Sequence, residues 1–164
     1  MIENLIIFFQ NIPAELAVVI LSSLPLTELR ASLPLALTVF DIQPISALIL
    51  VYIGNIIPMF IILYLLPFLV IFVQKKSRFF DRILNQYFLH LEKKHKDRYD
   101  RYGSIVLIIF VAIPLPGSGV WTGSIISVLF GIQKKYSIPA ITVGMLISGL
   151  VVFLLTQSGI SLFS

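Results

Sequence analysis

Two long apolar runs set the plan of the chain. Pro44–Val73 has 30 residues and no charge, and Tyr136–Ser164 has 29 and no charge. At about 1.5 Å of rise per residue, either would form a helix longer than the roughly 30 Å hydrocarbon core of a bilayer. Two shorter runs precede each long one. Ala14–Leu24 and Gly103–Ile113, 11 residues each, predict helices about 16 Å long, half a bilayer. Glu28–Phe40 and Ser118–Ile132 follow them and are also short. Pro, Gly and polar residues separate the members of each pair. A simple proline kink does not need all of these together, so each pair predicts a re-entrant hairpin that enters and leaves on one side. The competing reading is one kinked full-length helix per pair.

Displacing the chain on itself by 89–90 residues superimposes the two sets. Leu24-Pro25-Leu26 falls on Ile113-Pro114-Leu115, and Phe40-Asp41-Ile42-Gln43 on Phe130-Gly131-Ile132-Gln133. A five-residue insertion in the second copy then brings Pro44 onto Pro139 and Gly54 onto Gly149. One copy is a hairpin plus one crossing, so consecutive copies would point oppositely. The expected fold is an all-α integral membrane protein: an inverted repeat of two re-entrant helical hairpins plus two long transmembrane helices. Its segments would be an N-terminal interfacial stretch (1–13), repeat 1 (14–73), a connector (74–102) and repeat 2 (103–164). Inverted repeats whose broken helices meet near the midplane are a secondary-transporter pattern.

The connector has a pattern of its own. Phe79, Phe80, Ile83, Leu84, Tyr87, Phe88 and Leu91 share one helix face, flanked by Lys and Arg. This predicts a basic amphipathic helix lying on the inner leaflet. Glu92/Lys96 and Asp97/Arg101, spaced i,i+4, predict a solvated helical tail. His90 and His95 are five apart, share no helix face, and read as interface polar residues rather than metal ligands. Before Leu5 the chain has Glu3 and no Lys or Arg, unlike a signal peptide. The N-terminus is therefore expected in the mature protein.

Composition and charge orient this plan. The chain is 58% hydrophobic and 12% charged, against roughly 25% charged in a soluble domain. Nine of the twelve Lys and Arg lie in Lys75–Arg101, where four acidic residues leave a net +5. Lys134 and Lys135 bring the basic residues at these two places to eleven of the twelve. Positive-inside placement puts Lys75–Arg101 and Lys134-Lys135 in the cytoplasm and both termini outside, in the plasma membrane of a prokaryote. A short juxtamembrane basic stretch is not a nucleic-acid-binding domain. With no cysteine, thiolate metal sites, thiol nucleophiles and disulfides are excluded. A chain this small leaves room for homodimerisation.

The candidate chemistry lies at the two breaks. Glu28 and Arg30 occupy the first, and a membrane-embedded charge costs roughly 2.5–3.5 kcal/mol even on lenient insertion scales. Residues i and i+2 lie on opposite sides of a helix, so a mutual pair is not expected. With Thr27 as N-cap, Glu28 takes the first helical position, favoured by the positive helix end. Arg30 is then at the wrong end of the dipole. The second repeat has no acidic residue, so a substrate anion is its economical partner. Pro34 would loosen the half-helix.

The second break, Pro114-Leu115-Pro116-Gly117-Ser118-Gly119-Val120-Trp121-Thr122-Gly123, carries no charge. Gly117, Gly119 and Gly123 permit tight turns and close backbone approach. Ser118 is the expected cap of the following half-helix, whose free N–H groups would point at the midplane. Two helix N-termini and Arg30 together would make an anion site. Glu28 is the candidate proton carrier, as a membrane-embedded acid. The glycine pattern lacks the Lys-Ser/Thr of a nucleotide loop, so ATP is not expected. Trp121 reads as packing or an interface anchor, with substrate contact as the alternative. Asn55 and Pro58 interrupt the first span, and Asn55 is either cavity lining or a packed polar contact.

Pro-x-x-Glu-Leu-Arg-x-x-x-Pro-Leu-Ala (Pro25–Ala36) and Pro-x-Pro-Gly-x-Gly-x-Trp-x-Gly (Pro114–Gly123) resemble the small multi-drug export protein family over nearly the whole chain. Ala31 stands where the family pattern commonly has glycine. That family looks distantly related to the DedA superfamily, whose fold is similar to the hairpin arrangement read above. The resemblance implies functional roles for Glu28, Arg30, Pro34, Pro114, Pro116, Gly117, Gly119, Trp121 and Gly123. The family name implies drug export, whereas the DedA likeness implies proton-dependent lipid transport, including recycling of polyprenyl phosphates.

The leading expectation is therefore a secondary transporter or flippase among membrane lipids. It would move an amphiphilic substrate, favoured as an anionic lipid such as a polyprenyl phosphate, coupled to protons or another ion. The alternatives are an exporter of cationic amphipathic drugs and a structural scaffold locked by Glu28 and Arg30. An enzyme is not expected without a Ser/His/Asp set or intramembrane His, and no cofactor or metal is expected either.

Overall fold

Proline ends the first short helix of each set and begins the first long one. The computed structural model describes residues 12–76, 96–115 and 117–163, and its regular structure is entirely α-helical. In chain order the helices are α1 (Ala14–Ser23), α2 (Glu28–Thr38), α3 (Pro44–Lys76), α4 (Lys96–Ala112), α5 (Val120–Leu129) and α6 (Lys134–Phe163). Leu24 is extended after α1, the conformation that Pro25 imposes on the residue before it. Helix α4 stops at Ala112, two residues short of Pro114. Pro44 opens α3 at the first helical position, where a missing N–H costs nothing. Order and lengths thus run short, short, long, twice over. Helix α4 begins earlier than the apolar pattern indicated, because the charged residues from Lys96 continue the same helix. The amphipathic face at 79–91, both histidines and most of the N-terminal stretch lie outside the described residues.

Four described residues have left-handed backbone: Glu28 (φ +40°), Asp41 (φ +50°), Gly117 (φ +85°) and Gly131 (φ +65°). They form two pairs, 28 with 117 and 41 with 131, in the register found by sliding the sequence on itself. Asp41 and Gly131 follow the ends of α2 and α5, where such a residue commonly ends a helix. Glycine takes these values freely, Asp with some tolerance, and Glu only under strain.

Helix packing follows the same exchange. Helix α1 lies on α3 as α4 lies on α6; α5 packs mainly on α3, the long helix of the other half, while α2 packs on both α3 and α6. Lys134, opening α6, holds its ammonium 3.8 Å from the Tyr64 ring centre. Further along α6, the Leu146 carbonyl accepts a hydrogen bond from the Tyr52 hydroxyl at 3.2 Å. Going forward on α6 is therefore going backward on α3, and the long helices are antiparallel. Leu33, Val51, Met59, Leu63, Ile141 and Met145 fill the interior.

Pro44–Val70 and Lys134–Gly159 are long and apolar enough to cross a membrane, yet only 39% of the most apolar window of each is buried. A soluble core helix would hide that surface. Here Ile49, Ile53, Ile57, Leu65, Leu150 and Leu154 face outward, as a multi-span membrane protein requires.

Gly54 sets the approach of α1 to α3. A Cβ there would overlap Ser22 Oγ and lie 2.5 Å from the Val19 carbonyl oxygen. The serine can rotate away but the carbonyl cannot. Gly54→Ala gains up to about 1 kcal/mol of helix propensity and loses about 1–3 kcal/mol by overpacking, so a lower Tm in detergent is expected. Gly159→Ala, with nothing within 4 Å, keeps the gain alone and is expected to raise it.

Candidate functional site

The left-handed backbone at Glu28 brings together the two charges of the first break, the tip where α1 meets α2; the second tip is the break between α4 and α5. Arg30 Nη1 donates to Glu28 Oε2 at 3.4 Å. This corrects the expectation that they would point apart, since i and i+2 oppose each other only within regular helix. Both side chains are largely buried, 8% exposed for Glu28 and 17% for Arg30.

Each charge also meets a helix end from the other half. The Trp121 backbone N–H donates to Glu28 Oε1 at 3.2 Å. Trp121 is the second residue of α5, whose N-cap Gly119 provides no side chain. Glu28 therefore caps α5 from across the molecule, at its positive end. Gly119 makes room for it, because a Cβ would overlap the carboxyl group and lie 2.5 Å from Oε1. Arg30 Nη2 donates to the Ile113 carbonyl at 3.2 Å and to Ser118 Oγ at 3.0 Å. Ile113 directly follows α4, so the guanidinium sits at a negative helix end. Trp121 Nε1 donates to the Ser23 carbonyl at 3.0 Å, so Trp121 ties one tip to the other.

Three further expectations are corrected. Thr27 does not cap α2, since its hydroxyl donates to the Leu21 carbonyl. Ser118 does not cap α5, since its hydroxyl lies 2.7 Å and 2.9 Å from the carbonyls of Ile113 and Leu115. The α5 N-terminus is taken by Glu28 and Arg30 by Glu28, Ile113 and Ser118, so they do not form an open anion site. A carboxylate from the same chain already supplies the negative charge.

Glu28, Arg30, Ser118, Gly119 and Trp121 thus come together. Glu28, Arg30 and Gly119 also line a narrow cavity of about 10 Å³ with Leu29, Asn55, Val111, Val120, Met145 and Ser148. Room of that size admits about one water. Asn55 lies within an unbroken α3, its Nδ2 donating to the Val51 carbonyl at 3.0 Å, so it lines the cavity without interrupting the helix. Pro34 is half-buried inside α2, away from the cavity lining. Pro114 is half-buried in the second break, and Gly117 is exposed there with no neighbour within 4 Å of a Cβ position. Gly123 is buried against Val111 and sets the spacing of α4 and α5. Pro116 lies outside the described residues.

Sequence reasoning missed Met145 and Ser148. A lone serine in an apolar helix reads as packing, and only the meeting of the tips beside it marks it out. Among the described residues, no group of three or more His, Asp or Glu is placed to hold a metal ion.

A family model described as "Putative small multi-drug export protein" matches residues 28–151, from Glu28 through both tips and into α6. No curated protein and no solved structure matches the chain.

Proposed function

The chain belongs to the small multi-drug export protein family, and from that premise we propose that it is a secondary exporter of cationic amphiphiles, coupled to protons through Glu28. The observation that carries this reading is the placement of Glu28. It is buried, where Glu15 and Asp41 are exposed, and it is held at once by Arg30 of its own tip and by Trp121 of the other. A carboxylate there can exchange a proton for a cation.

The positive groups are less free. Arg30 already meets the end of α4, and the α5 N-terminus already has an anion. This favours a cationic passenger over the anionic lipid that the sequence suggested. The site is too narrow for either as it stands. Transport therefore requires the tips to part, opening Glu28 to one side of the membrane at a time.

The proposed architecture suits that motion. We take the two hairpins as re-entrant and the halves as an inverted repeat. Three observations support this: the tips lie level with Asn55 and Ser148, well inside the long helices; the beginning of α1 lies beside the end of α2; and α3 and α6 are antiparallel. Lys134 and the Lys75–Arg101 connector would then face the cytoplasm.

A second reading rests on one specific observation. Arg30 and the Trp121 N–H converge on a single carboxylate, and a lipid phosphate displacing that carboxylate would find both donors. Proteoliposomes with an imposed pH gradient separate the two. Ethidium efflux that depends on the gradient, with no translocation of labelled polyprenyl phosphate, is the expected result. The reverse pattern would establish the lipid reading. Movement of neither by folded protein would leave Glu28 and Arg30 as a structural lock.

A further inference from the structure

Two buried polar atoms on different helices are left without a partner beside Glu28. Asn55 is fully buried and its Oδ1 accepts no hydrogen bond; Arg30 Nε is buried and donates none. The amide orientation is fixed, because Nδ2 donates to the Val51 carbonyl, which leaves Oδ1 as the acceptor on the other side. Among the described residues only one other buried side-chain atom, Ser124 Oγ, is without a partner, and Ser124 is not part of this cavity. Asn55 and Arg30 both line the same cavity of about 10 Å³. One orphan is an acceptor, the other a donor, and the space fits one molecule that both donates and accepts. Buried waters typically make about three hydrogen bonds to groups of this kind. A metal cation would answer Asn55 but not the Arg30 N–H, and would face its charge.

We propose that this cavity binds a single water, held between Asn55 Oδ1 and Arg30 Nε, through which Glu28 exchanges its proton. The proposal rests on the proton role given to Glu28 above. With one O–H donated to Asn55 and one lone pair occupied by Arg30, the water keeps one O–H and one lone pair. When Glu28 is ionised the free O–H faces its carboxylate. When Glu28 is protonated the free lone pair accepts from its hydroxyl. On release the carboxyl O–H breaks, the proton joins the water oxygen, and the water passes a proton on toward solvent as the tips part. Asn55 is thus a positioning residue that never carries the proton itself. Arg30 is the charged group against Glu28. The other helices around it present the Asn55 amide, the Trp121 N–H and the Ser148 hydroxyl, none of which changes charge.

The test is infrared spectroscopy of the full chain in lipid nanodiscs, which needs no transport substrate. The protonated carboxyl band that Glu28→Gln removes is followed after transfer from H2O to D2O. Asn55→Leu, which removes the acceptor at similar volume, should leave that band in place and slow its deuterium shift by about tenfold, the rate equivalent of one lost hydrogen bond. Val120→Ile, which fills the cavity with both polar groups intact, should slow it similarly, and it carries the test should Asn55→Leu not fold. Unchanged exchange in Val120→Ile, or in a folded Asn55→Leu, would overturn the water and leave the role of Glu28 standing. A Glu28 band absent at every pH would instead overturn the proton reading, and the water with it.

Discussion

Gly119→Ala is expected to cut export roughly a hundredfold although it adds only a methyl group, since moving a site group by about 1 Å can cost that much. The new Cβ would occupy the place of the Glu28 carboxyl group. Glu28 cannot yield by a small rotation, because its oxygens are held by Arg30 and by the Trp121 N–H. Once expelled, it leaves α5 uncapped and Arg30 without its counter-charge. A hydrogen bond to a charged group contributes about 1.5–3 kcal/mol, so a marked fall in Tm should accompany the loss of transport. Gly117→Ala is the comparison. No atom lies within 4 Å of its Cβ position, so only the strain of its left-handed backbone opposes it, costing about 1 kcal/mol. Dye efflux and thermal unfolding of both variants check the expectation, and equal losses in the two would refute it.

Glu28→Gln should separate function from fold. The amide oxygen can still accept from Trp121, and Arg30 keeps Ile113 and Ser118. Arg30 does lose its counter-charge, so stability should fall by about 1.5–3 kcal/mol, the loss of one charged hydrogen bond, with the chain still folded. Efflux driven by a pH gradient should drop to that of protein-free vesicles, because an amide cannot take up and release the proton. A variant that unfolds outright would mark Glu28 as structural. One that exports at the wild-type rate, still driven by pH, would remove it from the coupling mechanism.

The apolar runs made the long helices legible, and the prolines marked where the first short helix of each set ends. Displacing the chain on itself also brought residue 28 onto 117 and 41 onto 131, the left-handed pairs of the backbone. The two tips could be singled out as the candidate site from their motifs alone. Their bonding could not. A periodic reading assumes regular helix, and Glu28 is not in regular helical conformation, so the rule that opposes i and i+2 failed at the residue where it mattered. Nor could local capping rules anticipate a cap delivered from 93 residues away. Thr27 and Ser118 have the right side chains to cap, but each hydroxyl turns back to a carbonyl freed where the preceding helix ends. The start of α4 was misplaced for a simpler reason: hydropathy changes at Gly103, while the helix does not.

The bond between the tips has a consequence for biosynthesis. Glu28 and Arg30 emerge from the ribosome 83 to 93 residues before the groups that answer them. On the proposed re-entrant reading, the nascent first half must wait, either with its tip kept in water outside the lipid or sheltered by the insertion machinery, until the second tip is made and the pair can be drawn into oil.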